Sequence, residues 1–387
     1  MKIVHLADLH LGYRAYTRTT SAGVNQREAD VSTAVAHAFA EIIALRPDLV
    51  VIAGDIFHSI RPSNAAIAEA FRSLSGLVSR LERVPVVILA GDRDTPRAGD
   101  QSSILELFHE IPGVCVATRE VECFHFDQLG LELVAVPHAA VAGAGWASAR
   151  PSAGATHRVL AIHGQLAGEL DGQRVPGSLG EGGARIDAAL LRPEEWSYVA
   201  LGHHPVATQV ARNAWYAGSL ERTSGDPWTE RSEKGFVSYD LERGESRFHP
   251  VPTRSVLDLP PISAHGREAE EVIAAIRALV SEDAERISGA IVRLTITDVP
   301  RPVLREIERE VLRDLRSRAL HLRVEARPPQ PKVERTGALS VRGHSLEAQV
   351  EAYLAEVWEP TLEGVERGRL IELARRYLAE AGEGAEH

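Results

Sequence analysis

Along its first ninety residues the chain repeats one pattern. A short unbroken apolar run gives way to a polar cluster, and then to a segment with apolar residues at helical spacing. Lys2–Ala7 is short and apolar-rich, the length of a buried strand. Residues 29–46 carry Val31, Val35, Phe39, Ile42 and Ile43 on one side, which predicts an amphipathic helix. Asp48–Ala53 is continuous and β-branched, as in a strand buried on both faces. Residues 64–82 read as another helix and Pro85–Ala90 as a third buried strand. Strands alternating with helices predict an α/β sandwich.

Further on the pattern loosens. Residues 140–157 are rich in Ala, Gly and Ser and read as a surface loop, and 168–185 as a second, glycine-rich one. Prolines at 250, 252, 260 and 261 suggest a domain boundary. Beyond it, 267–280 and Val303–Leu315 read as helices, and Ala290–Ile296 and His321–Ala326 as strands, a small α+β unit. Arg327–Pro331 (RPPQP) reads as a linker, and 345–380 carries two helical patterns. The expected divisions are 1–250, 251–328, a linker at 329–340, and a helical module at 341–387.

Composition narrows the class. Hydrophobic residues make up 44% and charged residues 25%, as in a soluble globular protein. No apolar run is long enough to span a membrane, and the start MKIVHLADLH lacks the apolar stretch of a signal peptide, so a cytoplasmic protein with no membrane partner is expected. Cys115 and Cys123 are too few for a disulfide framework and are expected to be reduced thiols. The net charge of -11 argues mildly against sequence-independent DNA binding. Bound divalent cations and a local arginine cluster can reverse that potential where it matters.

The chemistry sits where strands end. Asp8 and His10 follow the first strand, Gly54, Asp55 and His58 the second, and Gly91, Asp92, Arg93 and Asp94 the third. Later, VLAIHGQ ends a strand at His163 and YVALGHH ends one at His203. Ligands of open α/β sheets bind beyond the carboxyl ends of strands. Five such ends offering Asp or His point to a shared metal site.

In this order the motifs D-x-H, G-D-x-x-H, G-x-x-D, His163 and G-H resemble the calcineurin-like metallophosphoesterases. HLADLHLGYR and YAGSLERTSGDPWTERSEKGFVSYDLE are similar to the SbcD-type nuclease subunits, counterparts of the meiotic-recombination nucleases. The likeness implies a four-layer α/β/β/α sandwich with a small α+β capping domain and a C-terminal helical pair. It also implies two divalent ions, manganese first, with iron, magnesium or zinc as alternatives. Asp8 and His10 would hold one ion, Asp55 would bridge, and Asp92, His163 and His203 would hold the other. Such a pair, about 3.5–4 Å apart, activates water and clamps a phosphodiester.

Three positions depart from the family pattern. Asp92 stands for an asparagine, Arg93 for the histidine that serves as proton donor, and Pro205 for the last ligand of the first ion. Arg93 stays charged and cannot be a general acid, yet it can stabilise phosphate charge. His204 is a candidate replacement ligand, although one position out of register. His58 would orient substrate or touch DNA, or alternatively hydrogen-bond at a helix start; Asp94 joins Arg93 and His58 as a catalytic candidate.

The resemblance implies DNA as substrate, a homodimer using 64–82 and 101–111, and an SbcC-like SMC-type ATPase gripped by 341–387 in double-strand break repair near the nucleoid. The helical pair could instead pack on its own domain. Rival readings are a catalytically weakened DNA-end-binding scaffold of the same complex, and a phosphoesterase acting on small nucleotides.

Overall fold

Apolar runs of four to seven residues become the strands of two stacked sheets. The computed structural model describes residues 1–97, 101–143, 145–150, 154–170, 173–174, 183–329, 346–356 and 367–383. Residues Met1–Pro329 form one compact unit and Gln330–His387 a second.

In the first sheet, β1 (Lys2–Leu6), β2 (Leu49–Ala53), β3 (Val86–Leu89) and β4 (Val114–Ala117) run parallel. Gly235–Asp240 and Glu245–Pro250 extend it antiparallel beyond β1. The second sheet is ordered Thr208–Ala211, Ala214–Tyr216, Tyr198–Gly202, β7 (His157–His163), β6 (Leu131–Val136), β5 (Glu122–Phe126). Its middle is parallel, and β5 is an antiparallel edge.

Burial on both faces explains the unbroken apolar runs. Ile3, Val51 and Val87 meet Leu133, Ala161 and Ala200 between the sheets. The alternate residues Val4, Val50 and Ile88 pack under α1 (Gln26–Leu45) and α2 (Asn64–Leu81). Each helix starts at a capping side chain, Asn25 and Ser63 respectively, as caps favour. Val134, Leu160 and Val199 face outward beneath Trp146, Leu191 and Trp196. The result is the four-layer α/β/β/α sandwich, with a thin outer layer that includes the short helices His138–Ala142 and Ala188–Leu191.

Two local expectations change. The segment 140–157 is not simply a surface loop. A helix at His138–Ala142 and a 3-10 turn at Gly145–Ser148 hold Trp146 in the outer core at 5% exposure. Alanine-rich composition hides one large apolar side chain whose burial ties the segment down. The dimer candidate 101–111 carries a seven-residue 3-10 helix, Ile104–Glu110. In the glycine-rich 168–185, Glu169–Leu170 pairs with Gln173–Arg174, while 171–172 and 175–182 lie outside the described residues.

Residues 251–328 belong to the first unit. Ile291–Thr297 is flanked by Val256–Asp258, Ile262–Ser263 and His321–Ala326, all parallel to it. A core including Val272, Ile276, Leu294 and Leu312 lies between this sheet and its helices. The helix expected over 303–315 runs from Arg301 to Arg318 and passes through a π-helical stretch at Glu308–Leu312. Arg254 pairs with Asp30 of α1, and Tyr16 stacks on His321 at 3.9 Å, joining this region to the sandwich.

In the second unit, helices Leu346–Glu356 and Arg367–Glu383 are joined by an ion pair between Glu351 and Arg375. The expected linker 329–340 lies outside the described residues after Pro329. Among the described residues no helix is long and apolar enough to cross a membrane.

Candidate metal centre

The carboxyl ends of β1, β2, β3, β7 and the Tyr198–Gly202 strand converge, and the chain bends sharply after each. Asp8, His10, Asp55 and His203 all have positive φ, which accounts for four of the nine non-glycine residues so placed among those described. Such backbone costs about 1–3 kcal/mol per residue and persists where surrounding contacts over-determine it. Asp8 N–H donates to Gly54 O and His10 N–H to Asp55 O, each at 3.0 Å, so the first two loops are laced together. The glycines beside them are steric necessities: a Cβ on Gly91 would stand 2.1 Å from Asp55 Oδ1, and one on Gly202 would stand 1.7 Å from Ala53 O.

Asp92 Oδ1 lies 3.1 Å from both His163 Nε2 and His203 Nδ1. These three residues form one candidate metal group; Asp8, Asp55 and His163 form another, so His163 is common to both. Its Nδ1–H donates to Ala53 O at 2.8 Å, which fixes the tautomer that turns Nε2 toward the carboxylates. Asp55 Oδ1 accepts the Arg93 N–H at 2.9 Å, and Asp8 Oδ2 accepts the His203 N–H at 3.1 Å.

The electrostatics suit a cation. Burial raises Asp55 well above the ordinary carboxylate range and raises Asp8 as well. Burial would also raise Asp92, but its hydrogen bonds to His163 and His203 win and hold it low. Burial opposes charge on His163, yet Asp55, Asp92 and Asp8 lift it to about 10. A proton on His163 thus answers crowded carboxylates, and a divalent ion would answer them better. Oxygen and imidazole donors with buried carboxylates fit manganese, iron or zinc.

The remaining candidates fall in different places. His10 opens on the same cavity of about 240 Å³ as Asp8, Asp55 and His203. Burial, with His58 and Arg93 nearby, pushes it to about 3, and its buried Nδ1 has no hydrogen-bond partner. His58 packs edge-on to His10 and Tyr13, and burial plus Arg93 lower it to about 4. Asp94 is a positioning residue. It is 1% exposed and accepts N–H donors from Ile56, Phe57 and Gly91 at 3.0–3.1 Å. That ties the second loop to the third. Arg93 lies at the rim, its Nε 3.6 Å from Asp92 Oδ2 and its side chain about half exposed.

His204 is not brought to this cluster. Its Nδ1 sits 2.9 Å from Val206 O, and its ring rests against Tyr216. The strand ends at Gly202 and the backbone turns at His203, whose φ is 102°, before His204 is reached. The Pro205 carbonyl accepts a bond of 2.6 Å from the buried Lys234 ammonium, which also donates to Ser219 Oγ and pairs with Glu230.

Several residues escape the sequence reading. Glu230, Thr223 and Asp226 line the cavity, from within the quoted stretch YAGSLERTSGDPWTERSEKGF. His138 follows the β6 strand end and lies 6.4 Å from the His163 ring; the V-P-H step after an apolar run is the available signal. Buried Arg27 pairs with Asp30 and with Glu221, tying α1 to the same stretch.

The model of the calcineurin-like phosphoesterase family matches residues 1–236. The chain belongs to that family. Relatives of this phosphoesterase include archaeal proteins named DNA double-strand break repair protein Mre11. That of Methanococcus maripaludis is 32% identical over 118 residues, 30% of each chain. That of Methanocaldococcus jannaschii is 32% identical over 110 residues, 28% of each chain. That of Methanopyrus kandleri is 26% identical over 297 residues, 70% of this chain and 61% of the relative. The phosphoesterase thus matches less than a third of the length of the first two relatives. A solved structure, TT1561 of Thermus thermophilus, covers 64% of the chain with 11% identity and a TM-score of 0.38.

Proposed function

We propose that this phosphoesterase cleaves DNA phosphodiester bonds at DNA ends during double-strand break repair, with a metal centre that holds one divalent ion tightly and a second weakly. One observation carries the reading: Asp8, Asp55, Asp92, His163 and His203 converge at the carboxyl edge of the sandwich. Asp92, His163 and His203 would hold the tight ion; Asp8, His10 and Asp55 would hold the weak one, which Pro205 deprives of a ligand. Manganese is the expected metal, and divalent ions there supply Lewis acidity to water and to the phosphoryl oxygens.

The chain's own groups do the rest. Arg93 presents a permanent positive charge at the rim, suited to phosphate oxygens and unable to release a proton. Arg61 and Arg97 line an adjoining cavity with Arg93, His58 and His138, a local arginine surface within an acidic chain. His58 stays neutral near pH 7 and is available to hydrogen-bond a phosphate.

The exposed Tyr353, Leu373 and Tyr377 of the C-terminal helices support their docking on a partner, here an SbcC-like coiled-coil ATPase. Leu107, exposed on the 3-10 helix, supports a homodimer contact in 101–111. A second reading, a scaffold subunit that binds DNA ends without cutting them, is favoured by Arg93 standing where the family places a proton donor.

The test is a manganese-dependent nuclease assay on linear and hairpin DNA, with Asp55→Ala as control. Cleavage that needs manganese and disappears in Asp55→Ala supports the enzyme. DNA binding without cleavage in a metal-loaded chain supports the scaffold. Cleavage that survives in Asp55→Ala contradicts the assigned centre.

A further inference from the structure

Strand β5 is the open edge of the second sheet, and its side chains alternate. Phe124 and Phe126 turn into the core between the sheets, while Cys123 and His125 share the opposite face. His125 stands directly across the ladder from Glu132 on β6. Cys123 Sγ is 3.7 Å from His125 Nε2, and His125 Nδ1 is 3.6 Å from Glu132 Oε2. One donor atom from each of the three lies within 4.8 Å of the other two. Glu132 is the sole charged residue in the strand LELVAV and is 1% exposed, so its carboxylate is a fixed anchor. Cys123 is exposed and His125 largely so, which leaves a way in for a ligand.

We propose that Cys123, His125 and Glu132 form a second metal site, distinct from the phosphoesterase centre, which binds zinc with its fourth position open to solvent. Thiolate, imidazole and carboxylate together are a borderline-soft donor set, suited to zinc and poorly suited to magnesium or calcium. Donors in a tetrahedral zinc site, with bonds of about 2.0–2.3 Å, stand about 3.5 Å apart, so the three donor atoms, one from each residue and already within 4.8 Å of one another, need only draw together slightly. Binding releases the Cys123 thiol proton to solvent and forms three bonds to the ion. The ion would clip the edge strand to its neighbour, where an unpaired sheet edge is otherwise exposed.

Cobalt(II) tests this, because a thiolate ligand gives it a near-ultraviolet charge-transfer band that oxygen and nitrogen ligands do not. The phosphoesterase centre contains no cysteine, so the band reads this site alone. The full-length chain, stripped of metal and kept reduced, is titrated with cobalt. A saturable band that zinc bleaches is expected. Cys123→Ser should lose it, His125→Ala should weaken cobalt binding at least about tenfold, and Cys115→Ser and His203→Ala should keep it. No band in the folded wild-type chain, or a band that survives Cys123→Ser, overturns the proposal. A normal nuclease assay alongside an absent band would leave the proposed activity standing and this site refuted.

Discussion

Around one oxygen of Asp92, two imidazoles already stand at 3.1 Å. Across the same cavity, Asp8 and His10 share the lining with Pro205, whose carbonyl a buried lysine holds. The first arrangement is a donor set preorganised by the fold, its His163 tautomer fixed by a backbone carbonyl. On the proposed reading the second has Asp8, His10 and Asp55 on a strained backbone, with Pro205 where a further ligand would stand. On that reading, one sheet edge would keep the costly geometry of a two-ion centre while its ligand supply is unequal. Charge is also distributed unequally. Asp92 adds a negative charge to the complete half, and Arg93 adds a positive charge at the rim.

The sharpest break of that comparison is His163→Ala, since His163 belongs to both groups. Manganese affinity should fall by more than the roughly 10–100-fold that outer-layer partners cost, with nuclease activity lost alongside. Calorimetry and the DNA assay on the same preparation check it. Next, Asp92→Asn with Arg93→His restores the neutral amide and the proton donor of the family pattern. A gain of about 10²–10⁴ in cleavage rate is expected. A fall instead would mean that Arg93 has a catalytic part of its own.

A structural control should leave the asymmetry untouched. Arg27 is 1% exposed and pairs with Asp30 and Glu221. Arg27→Ala removes the ion-pair partner of buried Glu221, while Arg254 still pairs with Asp30, and should cost about 3–5 kcal/mol in denaturant unfolding. A further effect, small near pH 6 and growing toward acid, is one of pH. His5 is fully buried beside Tyr198, and burial lowers it from 6.5 to about 3. The unfolded chain therefore takes up a proton below pH 6.5 that the folded chain refuses until about pH 3. Stability present above that window declines as pH falls through it, by about 1.4 kcal/mol per pH unit for one proton. His5→Gln should flatten the slope of unfolding free energy against pH by that amount.

Much of this is legible because strand ends announce themselves. A buried parallel strand is an unbroken apolar run, so the first polar residue after it marks the edge where ligands gather. Asp8, Asp55, Asp92, His163 and His203 all stand out in that way. His138 follows an equally clear run, but the proline before it reads as mere punctuation. Lys234 and Glu230 cannot be placed from sequence, because their importance lies in facing Pro205 across a long stretch of chain, and periodicity carries no such information. Trp146 shows the same limit on the apolar side. His204 and Asp94 mark a finer one: residue type and motif position suggest ligand and catalyst, while the hydrogen bonds of His204 to Val206 and of Asp94 to three backbone N–H groups cannot be read from sequence.

The unequal centre is tested most directly by counting ions. The metal-free chain is titrated with manganese by calorimetry, and the bound metal is then measured by elemental analysis, for wild type and for Pro205→His. One tight ion and a second held at least about tenfold more weakly are expected in wild type, with the second tightening when histidine is restored. Two ions bound equally tightly by the wild-type chain, or none at all, would contradict it.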